Sequence, residues 1–254
     1  MKRSIIENRA FRRALAAMMW LALWQLIAMT VGQPILLASP ASVLVRFFQL
    51  IATAAFWRAA LASAGHILLG FALGASAGIQ LAALARRSAV VEDLFAPLLS
   101  AMRSVPVVSF VIVALIWLRA RQLSVLIAFL IVLPVVYAGA LAGLREIDPK
   151  LSEMARVFRM PWHRRLCAVD LPAMLPGLSS ALGVAVGLAW KSGVAAEVIG
   201  IPAGTVGEKL YKAKVYLATP DLFAWTLGIV LMNALCARLL KRGLSTLAAG
   251  LEKL

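Results

Sequence analysis

Acidic side chains are scarce in this 254-residue chain: 11 Asp and Glu stand against 26 Lys and Arg, and 15% of positions carry charge. Cysteine and histidine are scarcer still, two of each. Cys167, Cys236, His66 and His163 lie far apart in sequence and show no metal-ligand spacing, so no metal site is expected. Both cysteines fall near helix ends expected on the cytoplasmic side, which favours reduced thiols over a disulfide. No G-x-x-x-x-G-K-[ST] segment occurs, so no nucleotide is hydrolysed through a phosphate loop of this chain. Nor does any nucleophile, base and ligand set converge as an enzyme requires. His66 stands alone at the start of an apolar run, and His163 lies in a basic loop; each reads as structural or solvated. There is no low-complexity tract, internal repeat or second domain.

Apolar residues, by contrast, make up 63% of the chain, and the mean hydropathy is +0.91. A soluble domain of this length has no interior large enough for that surface, whereas a bilayer accepts it. The basic surplus is spread between apolar runs rather than gathered on one face, which argues against nucleic acid and for a membrane orientation signal. A membrane-spanning helix needs about 20 mostly apolar residues. Six stretches qualify: 14–31; the charge-free run between Arg58 and Arg86; 94–118, broken by Arg103 and Pro106; the run between Arg121 and Arg145; 173–198, with Lys191 and Glu197 near its far end; and 222–240. The N-terminal MKRSIIENRAFRR segment has no small-residue cleavage site after it and reads as an uncleaved signal anchor.

With the N-terminus inside, 18 Lys and Arg fall on the inner side. Seven fall outside: Arg46, Arg58, Arg119, Arg121, Lys209, Lys212 and Lys214. Both termini are therefore expected to be cytoplasmic. The long external connection 32–58 carries Ser39 before Pro40, a start signal for a short surface helix. Small residues recur at four-residue steps in Gly70, Gly74 and Gly78, in Gly139 and Gly143, and in Gly183 and Gly187. Such stripes serve ordinary close packing in lipid or a contact between helices that move. Trp20, Trp24, Trp57, Trp117, Trp190 and Trp225 lie near span ends and read as interfacial anchors.

The most informative segment is the connection 145–172, LREIDPKLSEMARVFRMPWHRRLCAVDLP from Leu144 onward. Asp148-Pro149 starts a helix; Leu151, Met154, Ala155 and Phe158 recur at three- and four-residue steps; Pro161 ends it. Such a helix suits a bilayer surface or a groove on a soluble partner, and composition alone leaves both open.

This loop resembles the E-A-A, three residues, G, nine residues, I-x-L-P pattern of permease subunits of bacterial ABC importers. Glu153, Met154 and Ala155 occupy its first block, Arg159 the glycine position, and Val169, Leu171 and Pro172 its last block. Met154 and Arg159 depart from the pattern; either Pro161 makes the break in place of glycine or the loop bends differently. Met102–Pro106, Leu36–Pro40 and Gly193–Gly200 are similar to segments of the nitrate/taurine/aliphatic-sulfonate branch. The resemblance implies an all-α transmembrane fold of the type I importer bundle, one permease domain over 1–254 with 145–172 as its coupling loop. It implies a multi-pass protein of the bacterial inner membrane. The partners implied are two cytoplasmic ATPase subunits, which bind ATP and Mg, a second permease subunit forming a homodimer, an external substrate-binding protein, and surrounding lipid. Glu153, Met154, Ala155, Phe158, Arg159, Leu171 and Pro172 would then form the coupling contact, and no catalytic residue or cofactor belongs to this chain. Along the path, Lys191 reads either as a side chain snorkelling to the outer headgroups or as a lure for an anion. Arg103 reads as an inner-interface marker or an anion-favouring lining, and Glu197 as a further path residue. A secondary transporter or channel is the alternative class, disfavoured because the centres of the spans are nearly free of charge.

Overall fold

The computed structural model describes residues 9–251, and these form helices without a strand among them. Lys2, Arg3 and Lys253 of the charge count, the first eight residues of the anchor segment, and the side chains of His163 and Cys167 lie outside the described residues. The helices are α1 (Arg9–Val31), α2 (Pro40–Ile51), α3 (Ala54–Arg87), α4 (Ala89–Ser104), α5 (Val107–Ala114), α6 (Ala120–Arg145), α7 (Pro149–Val157), α8 (Trp162–Arg165), α9 (Leu171–Gly200), α10 (Val206–Val215) and α11 (Thr219–Leu251). A π turn, Leu166–Asp170, leads into α9.

Five of these helices, α1, α3, α6, α9 and α11, are long and apolar enough to cross a membrane. The third expected span is two helices, α4 and α5, bent by 101° at Val105-Pro106. Proline explains the break, because it holds Val105 extended (ψ 130°) and supplies no amide to continue the helical ladder. The packing shows that this bent pair still carries the chain across. Gly70, Gly74 and Gly78 of α3 lie in order against the backbones of Val125, Phe129 and Leu133 of α6, so the two helices run parallel. A chain leaving the end of α3 can enter the start of a parallel α6 only by returning to the other side of the bilayer. With the bent pair counted as one span, the described residues hold six candidate crossings.

The chain divides into two compact units. The first holds residues up to Arg58 together with Lys209–Gly228. There Ser39 caps α2 by accepting from the Ser42 amide at 3.3 Å, with Pro40 at the first helical position, as the sequence predicts. Val43 and Phe47 turn inward from α2 while Leu44, Val45 and Phe48 stay exposed. Arg46 grips Asp221 with both arms of its guanidinium, the Nη2 to Oδ2 bond measuring 3.0 Å. Phe56 stacks on Trp225 with ring centroids 5.0 Å apart. Trp225 is therefore part of the packing rather than an interfacial anchor, and so is Trp190 of the second unit, which is 1% exposed. Trp20, Trp57 and Trp117 remain exposed.

The second unit, Ala59–Glu208 with Ile229–Leu254, is built on α6. This helix buries residues on every side, among them Ile127, Ala128, Val132, Val136 and Ala140, as an all-round apolar sequence demands. Its antiparallel partner is α9, with Gly139 opposite Gly177 and Ala181, and Gly143 opposite Met174. In lipid, close backbone approach of this kind supplies the dispersion contacts that hold helices together. Gly183 and Gly187 do not share in it: nothing lies within 4 Å of a side chain built on Gly183, and only the Asn233 amide at 4.0 Å meets one on Gly187. The glycine that α9 uses against α6 is Gly177, and the stripe Gly183–Gly187 faces away from that contact.

Candidate functional site

The 145–172 connection folds locally as its residues dictate. Asp148 caps α7, its carboxylate accepting from the Lys150 amide at 2.8 Å, and Pro149 takes the first helical position. An ion pair at 2.5 Å, Arg145 Nη2 to Glu92 Oε2, ties the end of α6 to α4 just ahead of the loop. Along α7, Leu151, Met154 and Val157, followed by Phe158, are all exposed, Val157 by 78% and Phe158 by 74%. They recur at three- and four-residue steps and make one apolar ridge on the surface. Glu153 is exposed beside it.

Ala155 differs from its expected place on that ridge. It is 3% exposed and faces the chain's own interior, because it underlies the turn that ends the helix. Arg159 has φ +44°. The Met160 amide donates to the Ala155 carbonyl at 2.9 Å, and the Arg159 amide donates to Arg156 at 3.0 Å. These two bonds are the Schellman pattern, in which the residue after the cap turns left-handed, ordinarily as glycine. The break is thus made at Arg159, two residues before Pro161, and of the two readings the proline break is set aside. Proline fixes only its own φ and disfavours a helical Met160. Beyond it, Val169 is buried in the π turn, and Leu171 and Pro172 are half-buried in the first turn of α9. The two expected halves of the contact therefore differ in access: α7 presents its side chains, whereas Leu171 and Pro172 seat the loop on its span.

The three expected path residues are equally unlike one another. Lys191 is exposed, and no ion pair reaches it among the described residues. It lies 20 residues after Leu171 on a continuous helix, a rise of about 30 Å and so about the full hydrocarbon depth from the loop. Arg103 lies in the last turn of α4 and donates from Nη2 to the Pro134 carbonyl of α6 at 2.9 Å, tying α4 to α6 just before the bend at Pro106. Glu197 is 0% exposed and lines no open surface here. Its Oε2 accepts from Ser63 Oγ of α3 at 2.6 Å and from the Gly207 amide of α10 at 3.2 Å. Its Oε1 accepts from Ser124 Oγ of α6 at 3.2 Å and lies 3.8 Å from His66 Nδ1. Glu197, expected along the path, has its oxygens engaged by protein donors. Its partners, Ser63 and Ser124, were not marked by the sequence, since an isolated serine in an apolar run gives no signal of where its hydroxyl goes.

Residues 70–244 match the family described as the binding-protein-dependent transport system inner membrane component. The chain belongs to this family. The putative aliphatic sulfonates transport permease protein SsuC of Bacillus subtilis is 31% identical over 230 residues, covering 88% of this chain and 83% of that protein. The taurine transport system permease protein TauC of Escherichia coli is 26% identical over 230 residues, covering 88% and 82%. The nitrate import permease protein NrtB of Synechocystis is 24% identical over 205 residues, covering 77% and 74%. This protein is accordingly a multi-pass permease subunit of an ABC importer in a bacterial inner membrane, and a transport component rather than an enzyme. It works with an ATPase and a binding protein. The secondary-transporter and channel alternative is set aside.

Proposed function

We propose that the exposed ridge on α7 is where the ATPase subunits engage this permease, and that closure of two ATPase subunits on ATP and Mg pulls the loop and, through Leu171 and Pro172, tilts α9. The carrying observation is the apolar ridge Leu151–Met154–Val157–Phe158, held at a fixed angle by a capped start and a two-bond end. Surface apolar side chains in a rigid row are what a helix-in-groove contact requires. Glu153, beside them, would supply a charged contact. The basic excess at the loop and at both ends of the chain supports cytoplasmic termini, and six crossings put both on one side. The working unit is one permease domain over 1–254, paired with a second copy about a two-fold axis, with the binding protein on the opposite face of the membrane. The solute is a small anion. The sulfonate, taurine and nitrate named for relatives support this, although a riboflavin transport system permease protein of Chloroflexus aurantiacus is also 29% identical over 234 residues. Lys191 and Arg103 are the cations that would attract such a solute.

A single cysteine at Met154, with Cys167 and Cys236 replaced by Ser, tests the docking and the orientation together. The account expects a cross-link to the ATPase subunit, and labelling by a membrane-impermeant maleimide only after permeabilisation. Labelling of intact cells, or an ATPase cross-linked equally well from an exposed site elsewhere, would overturn it.

A further inference from the structure

Glu197 sits at the end of α9 farthest from the 145–172 loop, and the mechanism of docking makes no use of it. Yet burying a carboxylate completely is costly unless its acceptors are satisfied. Here they are satisfied by donors from three other helices of the same unit. Ser63 belongs to α3, Ser124 to α6, Gly207 to the first turn of α10, and Glu197 itself to α9. Ser63 is a relay: its Oγ accepts from the Val206 amide at 2.9 Å and donates to Glu197. Both of the first two amides of α10 thus end on the carboxylate, one directly and one through Ser63. These are amides that a helix start leaves without partners, at its positive end. The approach is close enough that a Cβ on Gly207 would collide with the Glu197 backbone. Ile201, four residues on, is held at φ +49° with its amide on the Glu197 carbonyl at 2.8 Å. A β-branched side chain avoids that region unless its surroundings impose it.

We propose that Glu197 is a positioning residue for transport: a clasp that makes α3, α6, the end of α9 and the start of α10 move as one body. Tilting α9 at its loop end then moves its far end together with α3 and α6, and the opening of the path stays tied to ATP hydrolysis. Without the clasp the α9–α10 corner moves by itself, and hydrolysis runs without translocation. This inference rests on the proposed coupling of the 145–172 loop to α9 and on α9 being a continuous helix. It does not depend on which α7 side chains meet the ATPase.

The test uses the assembled transporter in proteoliposomes, with its ATPase and binding protein, and reads solute moved per ATP hydrolysed. Glu197→Gln keeps acceptors for Ser63 and Gly207 and an amide for Ser124, and its ratio should stay near the wild-type value. Glu197→Ala strands several buried donors, and its ratio should fall by about tenfold or more while binding-protein-stimulated hydrolysis continues. A structural role alone would lower transport and hydrolysis together, so an unchanged ratio in Glu197→Ala overturns the clasp. A loss in Glu197→Gln equal to that in Glu197→Ala overturns it too, because charge rather than hydrogen bonding would then be at work. Should Glu197→Ala fail to assemble, Ser63→Ala decides. It severs the Val206 link, and a lowered ratio supports the clasp while an unchanged one refutes it. Loss of ATPase association in these variants is not expected, and that readout separates failure of the clasp from failure of the docking site.

Discussion

Replacing Arg159 by Gly should stabilise the loop, although it removes a long side chain from an exposed turn. The residue sits at φ +44° at the end of α7, with its own amide and that of Met160 bonded back to Arg156 and Ala155. A left-handed conformation costs a residue with a Cβ about 1–2 kcal/mol, and glycine almost nothing. Glycine in turn loses about 0.5–1 kcal/mol through its freer unfolded chain. The balance favours Arg159→Gly by roughly 0.5–1 kcal/mol, or about two- to fivefold in the local opening equilibrium. Amide hydrogen exchange of the loop in nanodiscs reads this directly. Protection at Arg159 and Met160 should rise in Arg159→Gly. In Arg159→Ala, which keeps the Cβ and so the strain, it should not rise. Equal or lower protection in the glycine variant, or the same gain in both, would refute the assignment of strain to this turn.

The packing makes a paired prediction about glycines. Gly74→Ala would place a Cβ 2.9 Å from the Phe129 carbonyl oxygen and 3.0 Å from Val132 Cβ, and should cost about 1–3 kcal/mol. Gly183→Ala enters open space and should leave the thermal unfolding of the purified permease unchanged. For the path, Lys191→Met and Arg103→Met should each raise the KM for an anionic solute, by about tenfold where the side chain faces the path, with ATPase activity intact. Unchanged KM in both variants would place these cations outside the route.

Much of this architecture is legible from residue patterns. Ser39-Pro40 and Asp148-Pro149 announce helix starts, because a side-chain acceptor followed by proline satisfies and shapes a first turn. Each starts a helix at that point. The charge-free runs give the spans, since little else in this chain could pay for so much apolar surface. What could not be read was where side chains point across elements. Ala155 recurs in the same periodic pattern as Met154 and Phe158, yet it is buried against the chain while they are exposed. Val157 was overlooked, although its spacing from Met154 already placed it on the exposed ridge. Pro161 drew attention as a breaker, while the left-handed residue was the Arg159 that stands at the glycine position. Glu197 stood near the end of its span with no partner that the sequence could name. Only tertiary structure shows Ser63 and Ser124, from spans 134 and 73 residues away in sequence, delivering their hydroxyls to it. The bend between α4 and α5 was signalled by Pro106, but its 101° size was not.

The most direct test of the central claim is co-purification of this permease with its ATPase subunit, comparing the wild-type chain with Glu153→Arg. The account predicts a stable detergent-solubilised complex for the wild type. It predicts loss of the ATPase on charge reversal, with the permease itself still folded by its thermal unfolding. A Glu153→Arg variant that retains both its ATPase and its transport would contradict the assignment of α7 as the docking helix.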